Sequence, residues 1–249
     1  MSQSGIYLFC FARPDVAVNM DRVRIRRFAT CSVVFSEVEI GEFSAENTEN
    51  TDWLLPRITW HEQVVETTMA QSPVLPAPFA SIFSSPEKLV QFVEVHQARI
   101  AEFLKDITGK QEWSVRVFAD PDLAAVTGSA AAREQSERSG LATATRHPRE
   151  MKNRPDRGGS ALETVITRVA EILGRLALAR APRKPIGGDD GARPELHHWA
   201  FLIPDDQVEV FRALAAAAAR IFEPHGLEFR VSGPWPPYSF VPHLPIPSG

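Results

Sequence analysis

Gly233-Pro-Trp-Pro-Pro-Tyr-Ser-Phe240 decides how the rest of the chain is read. Three prolines within six residues deny this stretch a helix or a central strand. Trp235, Tyr238 and Phe240 give it a large apolar area with two polar tips. The residues just before it, Leu227-Glu-Phe-Arg-Val-Ser232, alternate apolar and polar, which predicts a strand with one buried face. A strand therefore leaves the core and passes into a stiff, polyproline-like aromatic arm, the extended tail 233–249. Two readings of the arm stand. It lies over its own domain and covers an apolar gap, the common fate of an ordered tail. Or Pro234, Trp235, Pro236, Pro237, Tyr238 and Phe240 offer a surface to another protein.

Working back from the arm, Pro224-His-Gly226 ends a helix that Pro204-Asp205-Asp206 caps and that runs through Val208, Phe211, Leu214 and the run Ala215 to Ala219. An alanine run has no bulk, so another element can approach it closely. His197 to Ile203 reads as a strand, and Pro182 to Pro194 as a linker rich in Gly and Pro. Ser160-Ala-Leu-Glu163 matches a capping box, followed by a helix burying Leu162, Val165, Ile166, Val169, Ile172, Leu173 and Leu176. Leu141 to Gly159 reads as a flexible loop with a basic bias, and Asp120-Pro121 opens an Ala-rich helical stretch reaching about Gly140. Trp113 to Phe118 alternates as a strand.

The first half has its own punctuation. Ile6 to Phe11 is an apolar strand, Asp21 to Phe28 an alternating one with Arg22, Arg24 and Arg26 on one face, and Cys31 to Ile40 a third, followed by a polar tip at 41–52. Thr59-Trp-His-Glu62 matches a capping box and predicts a helix to about Gln71 with Trp60, Val64 and Met69 inward. Val74 to Phe83 is proline-interrupted and extended. Ser85-Pro86 opens the clearest helix, with Leu89, Val93, His96, Ile100, Phe103, Leu104 and Ile107 on one stripe and Gly109 at its end. The order implies an α+β chain of two domains, 1–109 and 110–249. The second is ferredoxin-like, with helices on one face of an antiparallel sheet, flexible loops at 141–159 and 182–194 and the aromatic-proline tail.

At 249 residues, 44% hydrophobic and 23% charged, the chain has the balance of a globular protein. A net charge of -4 argues against a nucleic-acid binder, so the three arginines read as a solvated edge-strand face. No run reaches the length of a membrane span, and the first residues lack a basic leader, so the expectation is a soluble, cytoplasmic protein with no membrane partner. Cys10 and Cys31 read as small buried thiols.

No residue set assembles chemistry. His61-Glu62 begins a zincin motif, but Val65 stands where the second histidine is needed. His197 and His198, adjacent on a strand, point to opposite faces and cannot share a metal. His96 lies on an apolar stripe. Gly187-Gly-Asp-Asp-Gly191 lacks the flanking strands of a nucleotide-cyclase hairpin, and no phosphate-binding glycine loop or nucleophile elbow occurs. The expectation is no enzyme, no metal and no cofactor.

The octapeptide 233–240, at the end of a chain of this length, resembles the C-terminal signature of the gas vesicle protein L/F family. Other stretches resemble the family in order: Gly5-Ile-Tyr-Leu-Phe9, then Val74-Leu-Pro76 with Pro78-Phe79 and Ile82-Phe83, then Glu112-Trp113, then Ala200-Phe-Leu-Ile203. Pro78 and Ala80 depart from the family's usual Arg and Gly, and residues 160–164 lack its Tyr-Leu and basic pattern. The resemblance implies a minor gas vesicle protein needed to assemble the hollow shell. It implies contact with the small, very hydrophobic shell protein and other minor gas vesicle proteins, as accessory component or chaperone, and location at the gas vesicle. The reading from another class is a regulatory α+β protein binding a metabolite or nucleotide between its domains.

Overall fold

The computed structural model describes residues 3–121, 123, 157–185 and 193–247. It divides into two units, Met1–Glu112 with Pro234–Gly249, and Trp113–Gly233. The tail from residue 234, expected to close the second unit, thus belongs to the first. The predicted helical stretch 124–140, the loop 141–156 and the motif Gly187–Gly191 lie outside the described residues.

The first unit is built on β1 (Ser4–Ala12), which is buried along nearly its whole length. It pairs antiparallel with β3 (Ser32–Glu39) on one side, and with β4 (Val74–Pro76) and β5 (Ile82–Phe83) on the other. β2 (Arg24–Arg27) closes the edge beyond β3, giving the order β2-β3-β1-β4 with β5 also on β1. Its arginines are spent locally: Arg24 donates to Glu37 at 2.6 Å, and Arg27 reaches the carbonyls of Pro14 and Val16.

Two cores follow from the strand's alternation. Ile6, Leu8 and Phe11 face α3 (Pro86–Ile107) with its Leu89, Val93, Ile100 and Leu104. Tyr7, Phe9 and Cys10 face the other way, onto Val64 and Val65 of α2 (Thr51–Met69). The register slips between Leu8 and Cys10, and this bulge puts two consecutive side chains, Phe9 and Cys10, on the α2 side. Each fully buried Leu or Phe contributes roughly 1.5–3 kcal/mol.

Local signals were read correctly for α3, where Ser85 caps the Lys88 amide and Pro86 begins the helix. Elsewhere the start moved. Asn50 caps α2, so Thr59 sits inside the helix, and Glu62 has no capping role. Part of the polar tip forms the short helix α1 (Ala45–Glu49), capped by Ser44. The buried set of α2 is His61, Val64, Val65 and Thr68, with Trp60 and Met69 only half-buried.

The second unit runs β6 (Lys110–Ala119, of which residues from Trp113 belong to it), α4 (Arg157–Gly174), β7 (Ala179–Arg183), β8 (Glu195–Pro204), α5 (Val208–Phe222) and β9 (Leu227–Trp235). The strand order β7-β8-β6-β9 places the first and third strands of this β-α-β-β-α-β run in the middle, as in a ferredoxin-like sheet. α4 and α5 share one core with the sheet, centred on Val115, Val117, Ile166, Leu173, Phe201 and Phe211.

β7 overlaps the predicted linker only at Pro182 and Arg183, and its first three residues precede that linker. It is short, carries Pro182 and lies at a sheet edge, where a missing amide costs little. α4 begins at Arg157, so Ser160 is internal and not its cap. Ile172, expected to be buried, is 40% exposed, and Leu214 is 38% exposed. The core face of α5 is centred on Phe211, Ala215 and Ala218, and Leu214 falls about a quarter turn to its side. Arg116 of β6 grips Glu195 of β8 through Nε and Nη2 at 2.7 and 2.8 Å, which satisfies a carboxylate only 2% exposed. Gly226, after α5, holds φ at 79°, and a Cβ there would lie 2.6 Å from Leu123 Cδ1 and 2.7 Å from Asp120 Oδ2.

Candidate functional site

The arm begins inside a strand. Pro234 and Trp235 are the last residues of β9, an edge strand of its sheet, so the proline removes no ladder bond that the sheet needs. Pro236 and Pro237 are buried. The backbone then turns: the Tyr238 amide donates to the Pro236 carbonyl at 2.7 Å, and the Phe240 amide to that of Pro237 at 3.1 Å.

Two glutamates of the first unit fasten this turn. The Tyr238 hydroxyl donates to Glu62 Oε1 at 3.1 Å. The Ser239 amide and hydroxyl both donate to Glu112, at 2.9 and 2.6 Å, and Glu112 is only 6% exposed. Burial pushes the Tyr238 phenol well above its usual range, and the Glu62 carboxylate beside it adds to the shift. Burial also raises Glu62, with the Tyr238 hydrogen bond pulling the other way. Beyond the turn, Leu244 enters the α3-side core, Val241 and Ile246 pack against it, and the Pro247 carbonyl accepts from the Ile82 amide.

Of the six arm residues singled out in the sequence, Pro236 and Pro237 are buried and Tyr238 and Phe240 half-buried. Pro234 and Trp235 are exposed, the indole at 41%.

The histidines have separate surroundings. The His197 ring lies on Trp199 at 4.8 Å and meets Glu163 of α4 at 3.0 Å, while His198 meets Ser114 of β6 at 2.8 Å. His61 is buried, with Nδ1 2.9 Å from the Tyr7 hydroxyl. That hydroxyl accepts from the Ala80 amide at 3.2 Å, and burial keeps it protonated. Its proton therefore goes to His61 Nδ1, which leaves the ring's own proton on Nε2. Burial drives the His61 pKa down to about 4, with the Ala77 backbone opposing. No local pattern points to this pair, because Tyr7 and His61 lie 54 residues apart in sequence. Among the described residues no group of three or more His, Cys, Asp or Glu side chains could hold a metal ion.

A cleft of about 600 Å³ in the first unit has Tyr7, Phe9, Phe43 and Trp60 along its walls and Arg57 and Glu42 at its rim. The rim charges lie 3.5 Å apart, and the Arg57 guanidinium is stacked over Trp53.

The gas vesicle synthesis protein GvpL/GvpF family matches residues 5–242. The chain belongs to this family. It is 25% identical over 224 residues to gas vesicle protein L of Streptomyces sp. (strain CB03234), covering 88% of this chain and 82% of that one. Its fold matches the crystal structure of the gas vesicle protein GvpF from Anabaena sp. PCC7120, with a TM-score of 0.64 at 20% identity, over 96% of this chain and 97% of that one. GvpF from Microcystis aeruginosa gives a TM-score of 0.62 at 21% identity, over 96% and 99%. A GvpL/GvpF chain works in the gas vesicle system, as a structural or assembly protein and not as a member of a known enzyme family. Among the described residues of this GvpL/GvpF chain, no helix is long and apolar enough to cross a membrane.

Proposed function

We propose that the chain takes part in building the gas vesicle by binding the small hydrophobic shell protein through its aromatic arm, with Trp235 as the main contact. The observation that carries this reading is the contrast at residues 235–239. Trp235 is 41% exposed, while Tyr238 and Ser239, just after it, are tied to Glu62 and Glu112. The indole is therefore presented from a fixed backbone, and little conformational freedom remains to be lost on binding. Pro234 stands beside it as further apolar surface. Pro236, Pro237, Tyr238 and Phe240 serve the contact by holding the backbone. A shell protein awaiting assembly exposes apolar surface, which an aromatic contact shields from aggregation. Other minor gas vesicle proteins would meet the same arm or the rest of the surface.

Trp235→Ala separates this reading from a purely structural arm. Truncating a hot-spot tryptophan costs about 2 kcal/mol or more, roughly thirtyfold in affinity. Retention of shell protein on the immobilised chain should fall by that factor while the melting temperature holds. A lowered melting temperature with unchanged binding per folded molecule would refute it.

A further inference from the structure

α5 has two apolar faces. Val208, Phe211, Ala215 and Ala218 point into the core. Val210, Leu214 and Ile221 do not: they are 49%, 38% and 60% exposed. With Ala217 between them, they recur at intervals of four, three and four residues, the spacing of a coiled-coil seam. At about 100° per residue the seam lies within roughly 40° of one line, about a third of a turn from the core face. Ala213 and Ala217 leave the seam low, so another helix can approach closely. The charged side chains Glu209, Arg212 and Arg220 occupy the remaining flank.

We propose that this seam pairs with the same helix of a second copy of the chain, antiparallel about a twofold axis near Ala215 and Ala216. The argument is self-complementarity under one symmetry operation. Setting Val210 against Ile221 of the second copy sets Leu214 against Ala217, large over small, and does so twice. In an antiparallel pair, residues of one flank meet residues of the same flank. Glu209 at one end of α5 and Arg220 at the other share a flank, so each Glu209 comes toward Arg220 of the second copy. A parallel pair would put the Glu209–Arg220 flanks of the two copies on opposite sides of the seam, where they could not meet. Glu209 now meets Arg212 at 3.1 Å, but both side chains are mostly exposed, and such surface pairs contribute little. One 15-residue helix buries less than a standard interface, so the dimer is reversible, with Kd on the order of 100 µM.

The test is sedimentation of the full chain from about 5 to about 500 µM, a range that brackets this Kd. The weight-average mass should climb from monomer toward dimer. Leu214→Asp, at a side chain outside the core, should keep the melting temperature and remain monomeric throughout. Glu209→Arg and Arg220→Glu should each weaken association severalfold. The two combined in one chain should restore it, because every contact is then reversed together. A monomer at all concentrations, a dimer indifferent to Leu214→Asp, or no rescue by the double reversal would each overturn the proposal.

Discussion

The hydroxyl of Tyr238 donates to the carboxylate of Glu62 at 3.1 Å, across 176 residues of sequence. The bond fixes an arm residue to α2, and it reaches a carboxylate whose pKa burial has already raised. Tyr238→Phe keeps the ring and removes the donor. Glu62 is half-buried, and water can replace part of what is lost. We expect a loss of about 1 kcal/mol and a further rise in the Glu62 pKa. Urea unfolding and carboxyl titration by NMR report the two effects. An unchanged midpoint would mean that Ser239 and Glu112 hold the turn alone.

Ala80 has φ of 60°, in the left-handed region where a Cβ is unfavourable. The Tyr7 hydroxyl holds its amide there at 3.2 Å. Ala80→Gly relieves the strain at some cost in unfolded-state entropy, and a net gain of about 0.5 kcal/mol is expected. Thermal unfolding of the variant checks it. A lower melting temperature would mean that the lost methyl outweighs the relieved strain.

His61 gives the first unit a pH dependence. Its pKa falls from 6.5 in the unfolded chain to about 4 in the folded one. Between those values the unfolded state binds a proton that the folded state does not. Stability is therefore complete above 6.5, falls as pH drops toward 4, and is level below it, a total of about 3 kcal/mol. Glu62 acts with the opposite sign, because its raised pKa lets the fold take up a proton first. His61→Asn keeps an acceptor for Tyr7 and removes the titration. Its stability should be less dependent on pH than that of the parent over this window, and identical slopes would rule His61 out as the source.

Much of the secondary structure was legible in the residues. β1, β6 and β8 announce themselves by apolar runs or alternation, and α3 by Ser85, Pro86 and a stripe closed at Gly109. β7 could not be seen, because Ala179–Arg183 is a short, proline-bearing edge without bulky apolar residues, and Leu202, the partner of Ala179, lies over twenty residues on. On α2, Trp60, Val64 and Met69 do pack on the core, Trp60 also lining the cleft, but the buried polar residues His61 and Thr68 carry no apolar signal. The aromatic arm stood out by composition, but its destination did not. Glu62 and Glu112 are 176 and 127 residues distant, and no local pattern encodes such a pairing.

The return of the chain to its first unit sets an order on biosynthesis. Leu244 completes the core that Ile6, Leu8 and Leu89 begin, yet it is translated 132 residues after Glu112 (244 minus 112). At roughly 5–20 residues per second, the ribosome needs on the order of ten seconds for that interval. Throughout it, the emerged residues 1–112 have every strand and helix of their sheet but neither the Leu244 plug nor the Ser239 donors for Glu112. The first unit is thus finished only after the residues from Pro234 onward have emerged. A chain cut just before Leu244 would carry its damage in a core built from residues 6 to 104.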